Sequence, residues 1–89
     1  MYTIGDIGLL GLMAKKADAR ERFGFAVRTR REALGLTQED LAAAAGLHRT
    51  YLSDVERGRR NPSLLVIARL AAGLRLPASG LFLVMEAQG

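Results

Sequence analysis

The sequence predicts an all-α fold, a compact domain of five helices. Three observations support this prediction. Apolar residues recur every three or four positions, strand-like alternation appears nowhere, and Gly or Pro interrupts the pattern at short intervals. The chain has 89 residues, of which 49% are hydrophobic, so it has room for one small domain. Because a core of this size is small, association with a second copy would stabilise it.

The first residues differ from the rest of the chain. We expect residues 1–18 to be a flexible N-terminal arm or the product of an upstream translation start, and residues 19–89 to form the domain. Three glycines interrupt any helix or strand in this stretch: Gly5, Gly8 and Gly11. Met13 and the residues after it are typical of a protein start, so whether residues 1–12 belong to the native protein stays open. No basic residue precedes the apolar run 4–13, which argues against a secretory signal and favours the cytoplasm.

The first three predicted helices have clear ends. Helix one begins at Ala19 and ends at Gly35, with Phe23, Val27 and Leu34 on its apolar side. Helix two is capped by Thr37, carries acceptors and negative charge in its first turn and ends at Gly46. Helix three is capped by His48 and runs through Arg57 to Gly58.

The last two helices are separated by Pro77. Pro62 and Ser63 suit the start of helix four. Its expected apolar face consists of Leu64, Ile67, Leu70, Ala71 and Leu74. Ser79 is the expected cap of a short fifth helix.

Composition excludes several kinds of site. The chain has no Cys and one His, so disulfides, thiolate zinc sites and a His-based metal cluster within one chain are excluded. Ser53 has no adjacent base and the single His has no evident acid–base companion, so we expect no enzymatic activity. We also expect no cofactor, no small-molecule ligand and no membrane span. The net charge of +4 favours a polyanionic partner, although this evidence is weak by itself.

The spacing of helices two and three indicates a helix-turn-helix. The two short helices are joined by a turn of about four residues that Gly46 begins, and Ala42 is small where they must cross. The exposed side of helix three carries Arg49, Thr50, Ser53 and Asp54. Such groups near the start of a recognition helix are placed to meet base edges in the major groove of double-stranded DNA.

Residues 37–63, TQEDLAAAAGLHRTYLSDVERGRRNPS, resemble the lambda-repressor-like (XRE-type) helix-turn-helix family. The resemblance extends from about Phe23 to Phe82, and the run HRTYLSDVERGRRNPS is most similar to the controller proteins of bacterial restriction-modification systems. It implies a transcriptional regulator that binds a near-palindromic operator as a homodimer. The alternative is an antitoxin-type or other protein-interaction module with the same fold. The polar face from Arg49 to Asp54 favours DNA.

The resemblance also implies roles for individual residues. It implies that four residues contact DNA bases: Arg49, Thr50, Ser53 and Asp54. It places six residues at the sugar-phosphate backbone: Gln38, Tyr51, Arg57, Arg59, Arg60 and Asn61. Asp54 departs from the pattern as an acidic group in a DNA-facing position. It either accepts from a cytosine amine or orients Arg49 or Arg57, and we favour orientation. Arg31 and Glu56 are expected to form a partly buried ion pair.

The C-terminal segment offers a dimer interface. Residues 81–85 are all apolar, and one short helix cannot bury every side of such a run. The expected interface residues are Leu81, Phe82, Val84 and Met85. The alternative is that Leu81 and Phe82 close the monomer core while residues 83–85 fray.

Overall fold

Five helices make up residues 18–88, the part of the chain that the computed structural model describes. They are α1 (Ala19–Ala33), α2 (Gln38–Ala45), α3 (Arg49–Glu56), α4 (Leu64–Gly73) and α5 (Ala78–Glu86), with no strand in this range. The prediction of an all-α, five-helix domain is confirmed. The expected N-terminal arm lies outside the described residues except for Asp18, which belongs to the first helix as its N-cap.

Side-chain caps fix where four of the helices begin. Asp18 accepts from the backbone N–H groups of Arg20 and Glu21, while Thr37, His48 and Ser63 cap α2, α3 and α4. The expectation for α5 was wrong. Pro77 occupies its N-cap position without a side-chain hydrogen bond, and Ser79 lies inside the first turn. The helix begins directly after the proline, whose fixed φ suits this junction and which has no N–H to satisfy.

Left-handed residues end the helices that precede turns. Gly35, Gly46 and Gly58 have φ of 72°, 67° and 74°. Arg75 follows α4 with φ of 57°, the same conformation in a residue with a Cβ. The sequence showed the three glycine ends, but it gave no sign of the arginine.

All five helices contribute to the core: α1 packs on α3 and α5, α2 packs on α3 and α4, and α4 packs on α5. Its buried apolar residues are Phe23, Ala26, Val27, Leu41, Ala42, Ala45, Leu52, Val55, Leu70, Ala71, Leu74 and Leu81. The backbones of α1 and α3 approach closely at Gly24, where an added Cβ would lie 2.4 Å from the carbonyl oxygen of Val55. This contact sets how closely the recognition helix lies against the scaffold.

Two expectations about apolar surfaces were wrong. Leu64 is 79% exposed and does not join the buried face of α4. Leu81 is fully buried within the monomer and therefore cannot contact a partner, because the packing of α5 turns it into the core. Phe82 lies partly buried beside Phe23, with ring centroids 6.2 Å apart, and Val84 and Met85 are also half-buried. Leu83, by contrast, is 70% exposed.

No single helix among residues 18–88 is long and apolar enough to cross a membrane. Helices α4 and α5 meet that criterion only when taken together, and a bend of 96° separates them.

Candidate nucleic-acid interface

The turn between α2 and α3 sets the direction in which α3 leaves the scaffold. Gly46 adopts the left-handed conformation, and the N–H of Leu47 donates to the carbonyl of Ala42 at 2.9 Å, closing α2. His48 then begins α3, its Nδ1 accepting from the backbone N–H of Thr50 at 3.2 Å. This hydrogen bond makes His48 the N-cap of α3, as expected. The N-terminal turn of α3 therefore starts immediately after a rigid turn, with Arg49 and Thr50 exposed.

A buried ion pair ties α3 to α1. The Arg31 guanidinium donates to both carboxylate oxygens of Glu56, at 2.7 Å from Nε and 3.0 Å from Nη2, and Nη1 donates to the carbonyl of Leu36 at 2.8 Å. The two side chains are only 11% and 3% exposed. The hydrogen bond to Glu56 raises the pKa of Arg31 above its ordinary value, so the charge is permanent. This is the pair that the family resemblance implied.

Gln38 completes this network from α2. Its Nε2 donates to Oε1 of Glu56 at 3.0 Å, so the first residue of α2, the end of α3 and the end of α1 meet at one carboxylate. The sequence placed Gln38 at the DNA backbone. The structure assigns its amide nitrogen to Glu56, and contact with DNA stays a prediction.

Arg49 has an acidic partner that the sequence analysis missed. Its Nε lies 3.2 Å from Oε2 of Glu39 on α2, and both side chains are more than half exposed. The helix-turn-helix itself brings these residues together, because they lie ten positions apart across the turn. A signal was present in the acidic first turn of α2, which we interpreted only as a helix-dipole contribution.

Asp54 has a different partner from the expected one. Oδ2 of Asp54 lies 3.5 Å from Nε of Arg60, in the loop that follows α3, so the expectation that it orients Arg49 or Arg57 was wrong. The guanidinium carbon of Arg60 also lies 5.5 Å from the centroid of the Tyr51 ring. The chain turns back after α3 and brings Arg60 over the helix, which sequence spacing could not reveal.

The remaining candidate residues surround α3. Thr50, Arg57, Arg59 and Asn61 are exposed, and Ser53 is half-buried. The surface formed by α3 and the loop after it thus carries four arginines and two carboxylates: Arg49, Arg57, Arg59 and Arg60, with Glu39 and Asp54. Its net positive charge and short hydrogen-bonding groups are suited to duplex DNA.

Comparison with known proteins agrees with this geometry. The family model for the helix-turn-helix matches residues 27–81, more than half of the chain. The chain belongs to this family. It is the XRE-type helix-turn-helix family of DNA-binding transcriptional regulators.

Several similar proteins are restriction-modification controllers. The chain is 41% identical over 70 residues to the control protein C.MunI from Mycoplasma sp, covering 78% of this chain and 95% of that protein. The crystal structure of the controller protein C.AhdI from Aeromonas hydrophila matches with a TM-score of 0.69 and 47% identity, over 70% of this chain and 94% of that one. The controller C.Esp1396I, solved as a tetramer with its natural 35 base-pair operator, matches with a TM-score of 0.75 and 29% identity, over 82% of this chain and 96% of that one.

Proposed function

We propose that this chain regulates transcription by binding a near-palindromic operator in double-stranded DNA as a homodimer, in the manner of restriction-modification controller proteins. The observation that carries this proposal is the polar face of α3, with Arg49 and Thr50 exposed and arginines beside it, in a chain similar to the control protein C.MunI over nearly that protein's whole length. A regulator of this kind acts where bacterial DNA is, so we infer a cytoplasmic location.

In this proposal α3 enters the major groove with its N-terminal turn leading. Arg49 offers a planar pair of donors that suits the O6 and N7 acceptors of guanine, and Thr50 can contact a thymine methyl group or donate a hydrogen bond. Ser53 and Asp54 lie further along the same helix. The backbone contacts are proposed for Gln38, Tyr51, Arg57, Arg59, Arg60 and Asn61. These contacts would position α3, while the base contacts would supply the sequence preference.

One α3 reads only a few base pairs, and this supports a dimer. Two copies related by a two-fold axis would present two recognition helices about 34 Å apart, one turn of DNA. The structure supports a revised interface. Leu64, Leu65 and Leu83 on α4 and α5 are between 60% and 79% exposed, whereas Leu81 is buried. We propose that these exposed leucines, with Phe82, Val84 and Met85, form the dimer surface.

The DNA-binding proposal is tested with duplexes selected by the protein from a randomised pool. We expect Arg49→Ala to weaken binding to the selected duplex by about 1–3 kcal/mol and to change binding to random duplex little. Arg69→Ala is the matched control, since it removes the same charge from an exposed position on α4. Equal losses on both duplexes would make Arg49 a phosphate contact, and failure of the protein to enrich any sequence would refute specific binding.

The dimer proposal is tested by sedimentation at micromolar concentration. Leu83→Asp should give a monomer with weakened operator binding, because the charge lies at the proposed interface. Phe25→Asp is the control, since Phe25 on α1 is 53% exposed and lies outside that interface. A monomeric parent protein would disprove the dimer, and a dimeric Leu83→Asp variant would disprove this surface.

The controller assignment has its own test in the gene neighbourhood. An adjacent DNA methyltransferase and restriction endonuclease would support it. Their absence would leave a general operator-binding regulator.

A further inference from the structure

The loop after α3 is held in a defined path. The N–H of Arg59 donates to the carbonyl of Asp54 at 2.9 Å, and Gly58 takes a left-handed conformation. Gly58 also lies against α1 so closely that an added Cβ would be 2.8 Å from the Cα of Glu21. The backbone that leads to Arg60 is therefore fixed by both α3 and α1.

The Arg60 side chain is held on two sides by residues of α3. Asp54 pairs with its Nε at 3.5 Å, and the Tyr51 ring lies 5.5 Å from its guanidinium carbon. Tyr51 and Asp54 are three positions apart and so lie on one face of α3. The Asp54 side chain is 23% exposed and that of Arg60 is 54% exposed, so the carboxylate is the more enclosed partner and the guanidinium is the more accessible one.

This arrangement affects what Arg60 can bind. A phosphate that approached Arg60 would also approach the Asp54 carboxylate, and like charges repel. A base edge carries no net charge, so it meets much weaker repulsion. Because Asp54 pairs with Nε of Arg60, the two terminal nitrogens of Arg60 stay available to contact O6 and N7 of guanine. Holding the side chain in advance reduces the entropy lost when it binds.

We propose that Asp54 is a specificity-determining positioning residue, which holds Arg60 against Tyr51 so that Arg60 contacts a base edge rather than a phosphate. This proposal rests on the proposed operator binding, moves Arg60 from the proposed backbone contacts to the base contacts, and adds a role for an acidic residue in the DNA-facing surface. Asp54 thereby weakens binding to random DNA and sharpens the choice of operator. Arg59, its exposed neighbour in the loop, forms no ion pair with residues 18–88 and is free to contact phosphate.

The experiment compares Asp54→Asn with the parent protein on two duplexes, one selected by the parent and one random, over a range of KCl concentrations. Asp54→Asn should bind the random duplex more tightly, with a salt dependence steeper by about one phosphate contact per protomer. The ratio of the affinity for the selected duplex to the affinity for the random duplex should fall by at least about fivefold. This is the lower end of the discrimination that one bidentate base contact provides. Asp54→Glu keeps the negative charge that Asp54→Asn removes, so it should show the same salt dependence as the parent protein.

Two further variants make the test specific to Arg60. In an Arg60→Ala background, Asp54→Asn should no longer change the affinity ratio, because the residue that it positions is gone. Arg60→Lys keeps the charge but removes the planar fork, so it should lose base preference at one position while keeping the salt dependence. Arg59→Ala is the control, and it should weaken binding to both duplexes alike.

Two results with these variants would overturn the proposal, and the comparison with Arg49→Ala and with the parent protein separates its failure from the failure of the proposed function. An unchanged affinity ratio in Asp54→Asn would show that the ion pair has no part in selectivity. A changed ratio that persists in the Arg60→Ala background would show that Asp54 contacts a base itself. Loss of base preference in Arg49→Ala together with an unaffected Asp54→Asn would leave the proposed function intact and reject this role alone, whereas a parent protein that selects no duplex would reject both.

Discussion

Replacing Arg31 by Met tests whether the buried ion pair holds the recognition helix on its scaffold. The substitution keeps much of the apolar stem and removes the charge. It leaves the Glu56 carboxylate, 3% exposed, with the Gln38 amide as its remaining side-chain hydrogen-bond donor among residues 18–88. Breaking a buried pair in this way costs about 3–5 kcal/mol, because an uncompensated charge remains buried. For a domain of this size, such a loss lowers Tm by roughly 12 °C or more.

The measurement is urea unfolding followed by circular dichroism, with Arg28→Met as the matched control. Arg28 and Glu32 also form an ion pair, but their side chains are 62% and 55% exposed, so its loss should cost at most about 0.5 kcal/mol. The double variant Arg31→Met/Glu56→Leu should recover much of the stability, because no buried charge is left. An Arg31→Met variant within about 1 kcal/mol of the Arg28→Met control would refute this reasoning.

Three further predictions concern the stability of the domain. Gly24→Ala should destabilise it by about 1–3 kcal/mol, because the added Cβ would meet the backbone oxygen of Val55, and an unchanged urea midpoint would show that α1 and α3 can separate at little cost. Arg75→Gly should stabilise the domain by about 1 kcal/mol in the same assay, because glycine adopts the left-handed conformation without strain; a loss of stability would mean that the arginine side chain contributes more than this strain costs. The pKa of Asp18 is lowered from 3.8 first by a hydrogen bond from the Arg20 side chain and then by one from the backbone of Glu21, and the pKa of Asp40 is lowered from 3.8 by hydrogen bonds from the backbone and side chain of Thr37. The stability that these carboxylates contribute is present above pH 3.8 and is lost as pH falls through the lowered values. Asp40→Asn should therefore reduce the acid dependence of Tm, and an identical pH profile would contradict this.

The family resemblance, rather than the residue pattern, provided the pair of Arg31 and Glu56. Nothing in the spacing of two residues 25 positions apart indicates that one lies beneath the other. The resemblance carried that information because it stands for a known arrangement of helices. It did not extend to Asp54, where this chain departs from the family pattern, and there the expected partner was wrong.

The proposed dimer interface shows the same limit of sequence analysis for apolar residues. The sequence showed correctly that residues 81–85 are too apolar for one short helix to bury on every side. It could not show which residue faces the core, since Leu81 and Leu83 are equally apolar and differ by 200° of helix rotation. Packing of α5 against α1 decided that Leu81 is buried and Leu83 exposed.

The sequence by itself determined the features that depend on neighbouring residues: five helices, the caps at Thr37, His48 and Ser63, and the glycine that opens the turn before α3. These are decided within a few residues of backbone by hydrogen bonding and steric limits. Only the tertiary structure decided the pairing of Arg49 with Glu39 and of Arg60 with Asp54. Each pair spans a turn or a loop, so its formation depends on the path of the backbone and the rotation of whole helices. That path is set by core packing, to which the charged residues themselves contribute little.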